Sequence, residues 1–286
     1  MPTVRELLRE AATLLREAGL DSSTLDAGIL LGLALDLTRE QLYARLTDSP
    51  GPEAEARFRR LVSQRLAGVP VAYLRGFKEF YGRDFVVDSR VLIPRPETEI
   101  LVDCALELVR EVGHSGGRVH DCCTGSGCVA ITLKAELPHL EVSASDISPG
   151  ALDVARENRR RLLEPAFGPE AVTFFPSDLV SQAAGDLNMI TANPPYVAED
   201  EVREILAKGS PEPPEALIGG KIGIETPRRL FNGALEHLGV NGYLLMEVGF
   251  GQASGLMEEM EATGYRGIGS REDLQGIPRV VYGRKE

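Results

Sequence analysis

The chain of 286 residues has no tryptophan, only four cysteines and only four histidines. Cys104, Cys122, Cys123 and Cys128 form no Cys-x-x-Cys pair, and His114, His120, His139 and His237 stand at no ligand spacing from them. A zinc ribbon or disulfide framework is therefore disfavoured, and small buried thiols with no bound metal are expected. No apolar run approaches the roughly 20 residues of a membrane helix. The acid-containing segment Met1 to Glu10 does not resemble a signal peptide, so a cytoplasmic protein is expected.

Positive charge is also scarce, with 31 Lys/Arg against 43 Asp/Glu and a net charge of −12. The deficit is uneven: residues 1–80 hold 11 of each sign, so residues 81–286 carry the whole net charge. An acidic half of this size repels a phosphate backbone unless a local basic patch offsets it, which weighs against a nucleic-acid substrate. The length itself exceeds one small core and predicts two domains.

The first stretch reads as helical. Thr3 and Glu6 have capping-box spacing, and Leu7, Leu8, Ala11, Leu14 and Leu15 recur at helical intervals until Gly19. Further helices are predicted over 23–36, 38–46 and 52–66, the last begun after Pro50-Gly51-Pro52. This bundle carries no catalytic constellation, and docking of a substrate is the expected role. From Val71 to Val91 the chain turns aromatic, β-branched and glycine-punctuated, as in a hairpin. The expected division is a helical domain over 1–75, a linking β-hairpin over 76–90 and a third part over 91–286. In Val91-Leu92-Ile93-Pro94-Arg95-Pro96-Glu97-Thr98-Glu99 two prolines impose an extended segment, and a helix follows to about Val112.

Residues 116–250 alternate strand and helix, which predicts an α/β fold with a mostly parallel sheet covered on both faces. Strands are expected at 118–122, 140–145, 171–175, 187–192 and 242–248, with a final strand at 278–283. The first leads into Asp121-Cys122-Cys123-Thr124-Gly125-Ser126-Gly127, a glycine turn opening a helix, and Asp146 ends the next strand. That is a nucleotide-binding arrangement, but the full dinucleotide Gly-x-Gly-x-x-Gly is absent. An acid before the turn fits S-adenosylmethionine. Asp121 would then face the methionine ammonium, with Cys123, Thr124, Gly125, Ser126 and Gly127 along the ligand. Asp146 with Ile147 would meet the ribose, and Asp178 with Leu179 the adenine.

The fourth strand ends in Asn193-Pro194-Pro195-Tyr196. Two prolines stop a ladder and fix φ, making a stiff corner at the sheet edge where ligands bind. Alone, this corner suits a planar amide or a nucleic-acid base equally.

Taken with Tyr73-Leu74-Arg75-Gly76, Phe80-Tyr81-Gly82, the 91–99 segment, Gly219-Gly220 with Gly223, and Glu247-Val248-Gly249 with Gln252, the chain resembles the glutamine-N5 methyltransferases of release factors, called HemK or PrmC. The resemblance covers nearly the whole chain. It implies a Rossmann-like methyltransferase domain with a seven-stranded, mostly parallel sheet, preceded by a small helical domain and a β-hairpin. It also implies a protein partner, a class I peptide chain release factor, methylated on the glutamine of its Gly-Gly-Gln loop. On this reading Asn193 Oδ1 and the Pro194 carbonyl accept the two amide N–H groups, Pro195 fixes the turn and Tyr196 packs on the amide. The 91–99 segment would close over the methionine end, which adds Thr98 and Glu99 to the cofactor-binding set. Cys123 stands where the family usually has glycine, and Leu179 where it often has an aromatic residue. The competing readings are methylation of a ribosomal-protein glutamine or of a base amino group, and cofactor binding without catalysis. A monomer is the expected state.

Overall fold

The computed structural model describes residues 1–111 and 117–286; the expected helix end at Val112 and His114 lie outside the described residues. Two compact units are present, Met1–Phe77 with Ile205–Pro211, and Lys78–Glu204 with Glu212–Glu286.

The first unit contains α1 (Val4–Glu17), α2 (Ser23–Leu35), α3 (Arg39–Tyr43), α4 (Pro52–Leu66) and α5 (Val71–Arg75). The expected capping box forms: Thr3 N–H donates to Glu6 Oε2 at 2.8 Å, and Glu6 N–H to Thr3 Oγ1 at 3.3 Å. Thr38 and Gln41 repeat the device at α3. Leu7, Leu15, Leu30, Leu31 and Phe58 are buried together, and Arg65 Nε donates to the buried Asp26 at 2.8 Å. The hairpin reading of 71–76 is corrected. Pro70 precedes a short helix, and Gly76, at φ 78°, ends it in the left-handed conformation that glycine adopts freely. A five-residue helix is too short to show a 3.6-residue period.

The hairpin is confined to β1 (Phe77–Phe80) and β2 (Arg83–Val86). Its two-residue turn puts both Tyr81 (φ 50°) and Gly82 (φ 71°) at positive φ, as a tight hairpin demands. The side chain of Glu99 holds that turn, accepting from Tyr81 N–H at 2.8 Å.

There follow α6 (Thr98–Glu111), β3 (Arg118–Cys122), α7 (Cys128–Glu136), β4 (Glu141–Asp146), α8 (Pro149–Leu162), α9 (Glu164–Phe167), β5 (Thr173–Pro176), β6 (Leu187–Ala192), β7 (Val197–Ala198) and α10 (Glu199–Ala207). The chain ends with β8 (Ile218–Gly220), α11 (Glu225–His237), β9 (Leu238–Glu247), α12 (Ala253–Thr263), β10 (Tyr265–Glu272) and β11 (Pro278–Lys285). Seven strands make one sheet in the order β10-β11-β9-β6-β3-β4-β5. The five from β9 to β5 are parallel, while β11 runs antiparallel to both of its neighbours. The alternation of strand residues puts Met189 and Leu245 into one apolar layer with α6 and α7, and Ile190, Leu244 and Met246 into the other with α11 and α12. Strand β10 was not anticipated, because Gly267, Ser270 and two arginines mask an edge strand whose outer face is open to water.

His120 is a core residue. Its ring bridges the Ser143 and Ser145 hydroxyls at 2.9 Å each and stacks on Phe175, and burial pushes it down to about 4. It is neutral at pH 7, and the described residues hold no group of side chains fit for a metal ion.

Asn158 of α8 joins the hairpin to the glycine turn. Fully buried, it accepts from Val86 N–H at 2.7 Å and donates to the Val86 and Ser126 carbonyls at 3.0 and 2.9 Å. Asn158→Leu strands one buried and two half-buried backbone groups and is expected to cost about 3 kcal/mol, read as a lower denaturant midpoint. An unchanged midpoint would show that the amide contributes nothing net.

Candidate active site

From β3 the chain builds outward through β4 and β5, then crosses back to lay β6 and β9 on the other side. The turns after β3 and β6 therefore diverge from adjacent strands, paired at Cys122 and Ala192, and leave a crevice at the carboxyl edge. A cavity of about 370 Å³ occupies it. Its wall brings together Asp121, Cys123, Thr124, Gly125 and Ser126 from β3 and its turn. Asp146 and Ile147 enter from β4, Asp178 and Leu179 from the end of β5, Asn193 and Pro195 from β6, and Thr98 from the start of α6. Gly127, Glu99, Pro194 and Tyr196 are not on the wall. Gly127 caps α7 at φ 80°, and a Cβ there would stand 3.0 Å from Ile131 Cδ1, so the helix seats only with glycine.

Asp121 is 1% exposed. Its Oδ2 accepts from the Thr124 hydroxyl at 2.6 Å and its Oδ1 from the Thr191 hydroxyl at 2.8 Å. Burial pushes the acid up to about 7, the two hydroxyls opposing, and among the described residues no Lys or Arg pairs with it. Asp146 accepts from Gly125 N–H and Ser148 N–H, each at 2.9 Å, and burial raises it as well. Two carboxylates thus face one cavity, and among the described residues neither is paired with a Lys or Arg. Asp178 is different, being exposed and held by Arg229 Nη2 at 2.7 Å.

At the corner, Asn193 Nδ2 donates to Thr98 Oγ1 at 3.1 Å, and Asn193 forms part of the cavity wall. Tyr196 turns the other way, its hydroxyl donating to the buried Glu247 Oε1 at 3.0 Å. Gln252 clamps the corner from behind, donating to the Tyr196 carbonyl at 2.9 Å and accepting from Gly249 N–H at 2.9 Å. A Cβ on Gly219 would lie 2.6 Å from Tyr196 Cα and 2.7 Å from the Pro195 oxygen, so that approach requires glycine. Across the cavity Leu92, Pro94 and Arg95 face Pro213, Glu215 and Ile218. Glu212 joins the two segments, accepting from Ile93 N–H at 3.1 Å and from Arg95 Nη2 at 2.7 Å.

Residues 6–76 match the PrmC N-terminal domain and residues 98–210 the methyltransferase small domain. A release factor glutamine methyltransferase of Koribacter versatilis is 39% identical over 288 aligned positions, covering 99% of each chain. One from Moorella thermoacetica is 38% identical, covering 99% of this chain and 100% of its own. The chain belongs to the release factor glutamine methyltransferase family. Among solved structures, a methyltransferase from Pyrococcus furiosus aligns with a TM-score of 0.51 at 16% identity, covering 73% of this chain and 91% of its own. The hMettl16 catalytic domain in complex with a MAT2A 3′UTR hairpin reaches 0.57 at 15% identity, covering 71% and 76%. At such identities these likenesses speak to the fold.

Within the family's pattern, Cys123 stands out. It sits at φ 57°, in the region glycine adopts freely, and its Sγ lies 3.7 Å from that of Cys122. The adjacent thiol and burial push it well up, so it stays protonated. Sequence reading gave no role to Thr191, Glu212 or Glu247. Glu247 stood among the landmarks of the resemblance and Glu212 in the proline-rich stretch 208–215, whereas Thr191 carries no local mark.

Cys123→Gly removes about 1–2 kcal/mol of left-handed strain and adds about 0.5–1 kcal/mol of chain entropy. A slightly higher melting temperature is expected, with S-adenosylmethionine affinity equal or tighter by calorimetry. A marked loss of affinity would mean that the thiol touches the ligand.

Proposed function

We propose that this enzyme transfers a methyl group from S-adenosylmethionine to the side-chain amide nitrogen of a release-factor glutamine, that of the Gly-Gly-Gln motif in class I peptide chain release factors. The observation that carries the reading is the amide of Asn193. Its nitrogen is committed to Thr98, so its oxygen is what a substrate meets.

The cavity suits the cofactor. Asp121, buried and without a cation, matches an ammonium; both Asp146 oxygens retain lone pairs for ribose hydroxyls; beside Gly125 a Cβ would meet only open space. Ile147, 62% exposed, offers an apolar surface to a base. When bound, S-adenosylmethionine supplies a methyl group on a positively charged sulfur.

The rest falls to this chain's own groups. An amide nitrogen is a poor nucleophile because its lone pair is delocalised into the carbonyl. Asn193 Oδ1 and the Pro194 carbonyl each accept one N–H and so aim the nitrogen into the cavity. The same oxygens stabilise the positive charge that grows on it. No strong base is needed, since an N-protonated amide is acidic enough to lose its proton to water. Pro195 stiffens the corner, and Tyr196 flanks it while anchored on Glu247. The helical unit is assigned docking of the release factor. A cytoplasmic monomer that takes no nucleic acid fits this role; among the described residues no helix is long and apolar enough to cross a membrane.

Incubation with labelled cofactor and purified release factor, followed by peptide mass analysis, should put the label on the Gly-Gly-Gln glutamine; label elsewhere reassigns the substrate. Asn193→Ala should lower turnover roughly 10²–10³-fold while calorimetry shows cofactor affinity intact, and unchanged turnover would refute the role.

Asp121 makes cofactor affinity pH-dependent. A cationic ammonium binds the carboxylate form, and the free acid titrates near 7. Affinity should therefore fall as pH drops below this value, by up to about tenfold per unit, with a proton released on binding. Calorimetry in two buffers of different ionisation enthalpy reads that proton. Asp121→Asn should bind more weakly and lose this slope; a variant that keeps it points to another group.

A further inference from the structure

Gln252 gathers three turns at the corner. Its Nε2 donates to the Tyr196 carbonyl at 2.9 Å and reaches the Gly223 carbonyl at 3.5 Å, while its Oε1 accepts from Gly249 N–H at 2.9 Å. The turn from β8 to α11 packs directly on the corner, since a Cβ on Gly223 would stand 2.5 Å from the Tyr196 oxygen. The turn from β9 to α12 does the same, and a Cβ on Gly249 would lie 3.1 Å from Tyr196 Cδ2. Ile222, 59% exposed, stands on the first of these turns, and Phe250, 78% exposed, on the second. Neither is on the wall of the cavity proposed for the cofactor. Both turns are held in place: Glu225 accepts from Ile222 N–H at 3.2 Å and Ile224 N–H at 3.1 Å, and Gln252 N–H donates to the Gly249 carbonyl at 3.2 Å. A single exposed apolar side chain is ordinary on a protein surface. Two of them on fixed turns that meet at the reacting corner make a surface in search of an occupant.

Resting on the methyl-transfer reading above, we infer that Ile222 and Phe250 form an apolar rim on which the release-factor loop carrying the acceptor glutamine docks. A glutamine side chain is short, so while its amide is held at Asn193 the main chain that bears it must lie against the residues bordering the corner. Ile222 and Phe250 stand on two turns of that border, and covering them removes apolar surface from water. A Gly-Gly segment suits such a rim, because it has no side chains to hold its backbone away from an aromatic ring. Aromatic side chains are the usual anchors of protein interfaces. Since both turns are ordered before the partner arrives, little conformational freedom is lost on docking. The rim thus selects for the residues around the glutamine, whereas the corner selects for the amide itself.

The test is Phe250→Ser and Ile222→Ser in the full-length enzyme, with a purified release factor as substrate. KM for the release factor should rise about tenfold in each, with kcat, S-adenosylmethionine affinity and melting temperature unchanged, and Phe250→Leu should recover most of the loss. Val240→Ser is the control: it is 75% exposed near the amino end of β9, away from the corner, and should change nothing. A release factor with alanine in place of the glycine before the glutamine should be penalised less by Phe250→Ser than by wild type, a coupling that a double-mutant cycle reads. Wild-type KM in both rim variants overturns the inference, as does strict additivity in the cycle. So does an equal fall in S-adenosylmethionine affinity, which places the two residues at the cofactor. A wild-type dimer that Phe250→Ser dissociates in sedimentation overturns it too, because the face is then a contact between copies of this chain. Calorimetric titration with release factor reads docking without methyl transfer. If wild type methylates no Gly-Gly-Gln glutamine, the proposed function fails instead, and weaker binding by the rim variants than by wild type still supports the rim.

Discussion

The parallel pairing of β3 with β6 is the constraint from which the site follows. Among the described residues, two adjacent strands send their following turns in opposite directions at this junction, and the sheet edge opens there. The pairing also carries a polar contact across the strands, Thr191 of β6 donating to Asp121 of β3. The acid proposed for cofactor binding is thereby oriented by the strand that ends in the Asn193–Tyr196 corner. Slipping this register by one residue would turn Thr191 to the opposite face and leave half of the Asp121 carboxylate unpaired in the interior.

Three carboxyl groups around this junction, Asp121, Asp146 and Glu247, are raised by burial. Among the described residues none of the three is ion-paired with a Lys or Arg, whereas arginines pair on the surface, as in Arg57–Asp36 and Arg228–Glu259. Unmatched negative charge in an interior is unstable by itself and favours a cationic occupant. The acidity of residues 81–286 is thus partly concentrated at the junction proposed to hold a positively charged ligand and a nitrogen gaining positive charge.

Where local chemistry dictates local structure, the elements were legible. Thr3 with Glu6 forms its capping box, the β3 turn opens α7, and the double proline stops β6. Illegibility began where a residue's task depends on distant parts of the chain. Glu99 looked like a ligand-facing acid at a helix start, yet it serves the hairpin by holding Tyr81 at positive φ. Residues 71–75 carry strand-like side chains but lie between Pro70 and Gly76, whose backbone preferences decide for a helical turn. Asn158 sits mid-helix in a polar stretch and looks like a solvent residue, though it is fully buried and bonds three backbone groups. Nothing within a few residues of any of these announces its partner.

The sequence by itself determined the class of fold and the family, because these rest on periodicity, turn chemistry and contiguous motifs. Tertiary structure alone decided the direction of the corner's groups. Asn193 takes its orientation from Thr98, 95 positions away, and Tyr196 takes its anchor from Glu247, 51 positions away. An amide has a donor end and an acceptor end on one rotatable bond, and only neighbours brought in by the fold can tell them apart.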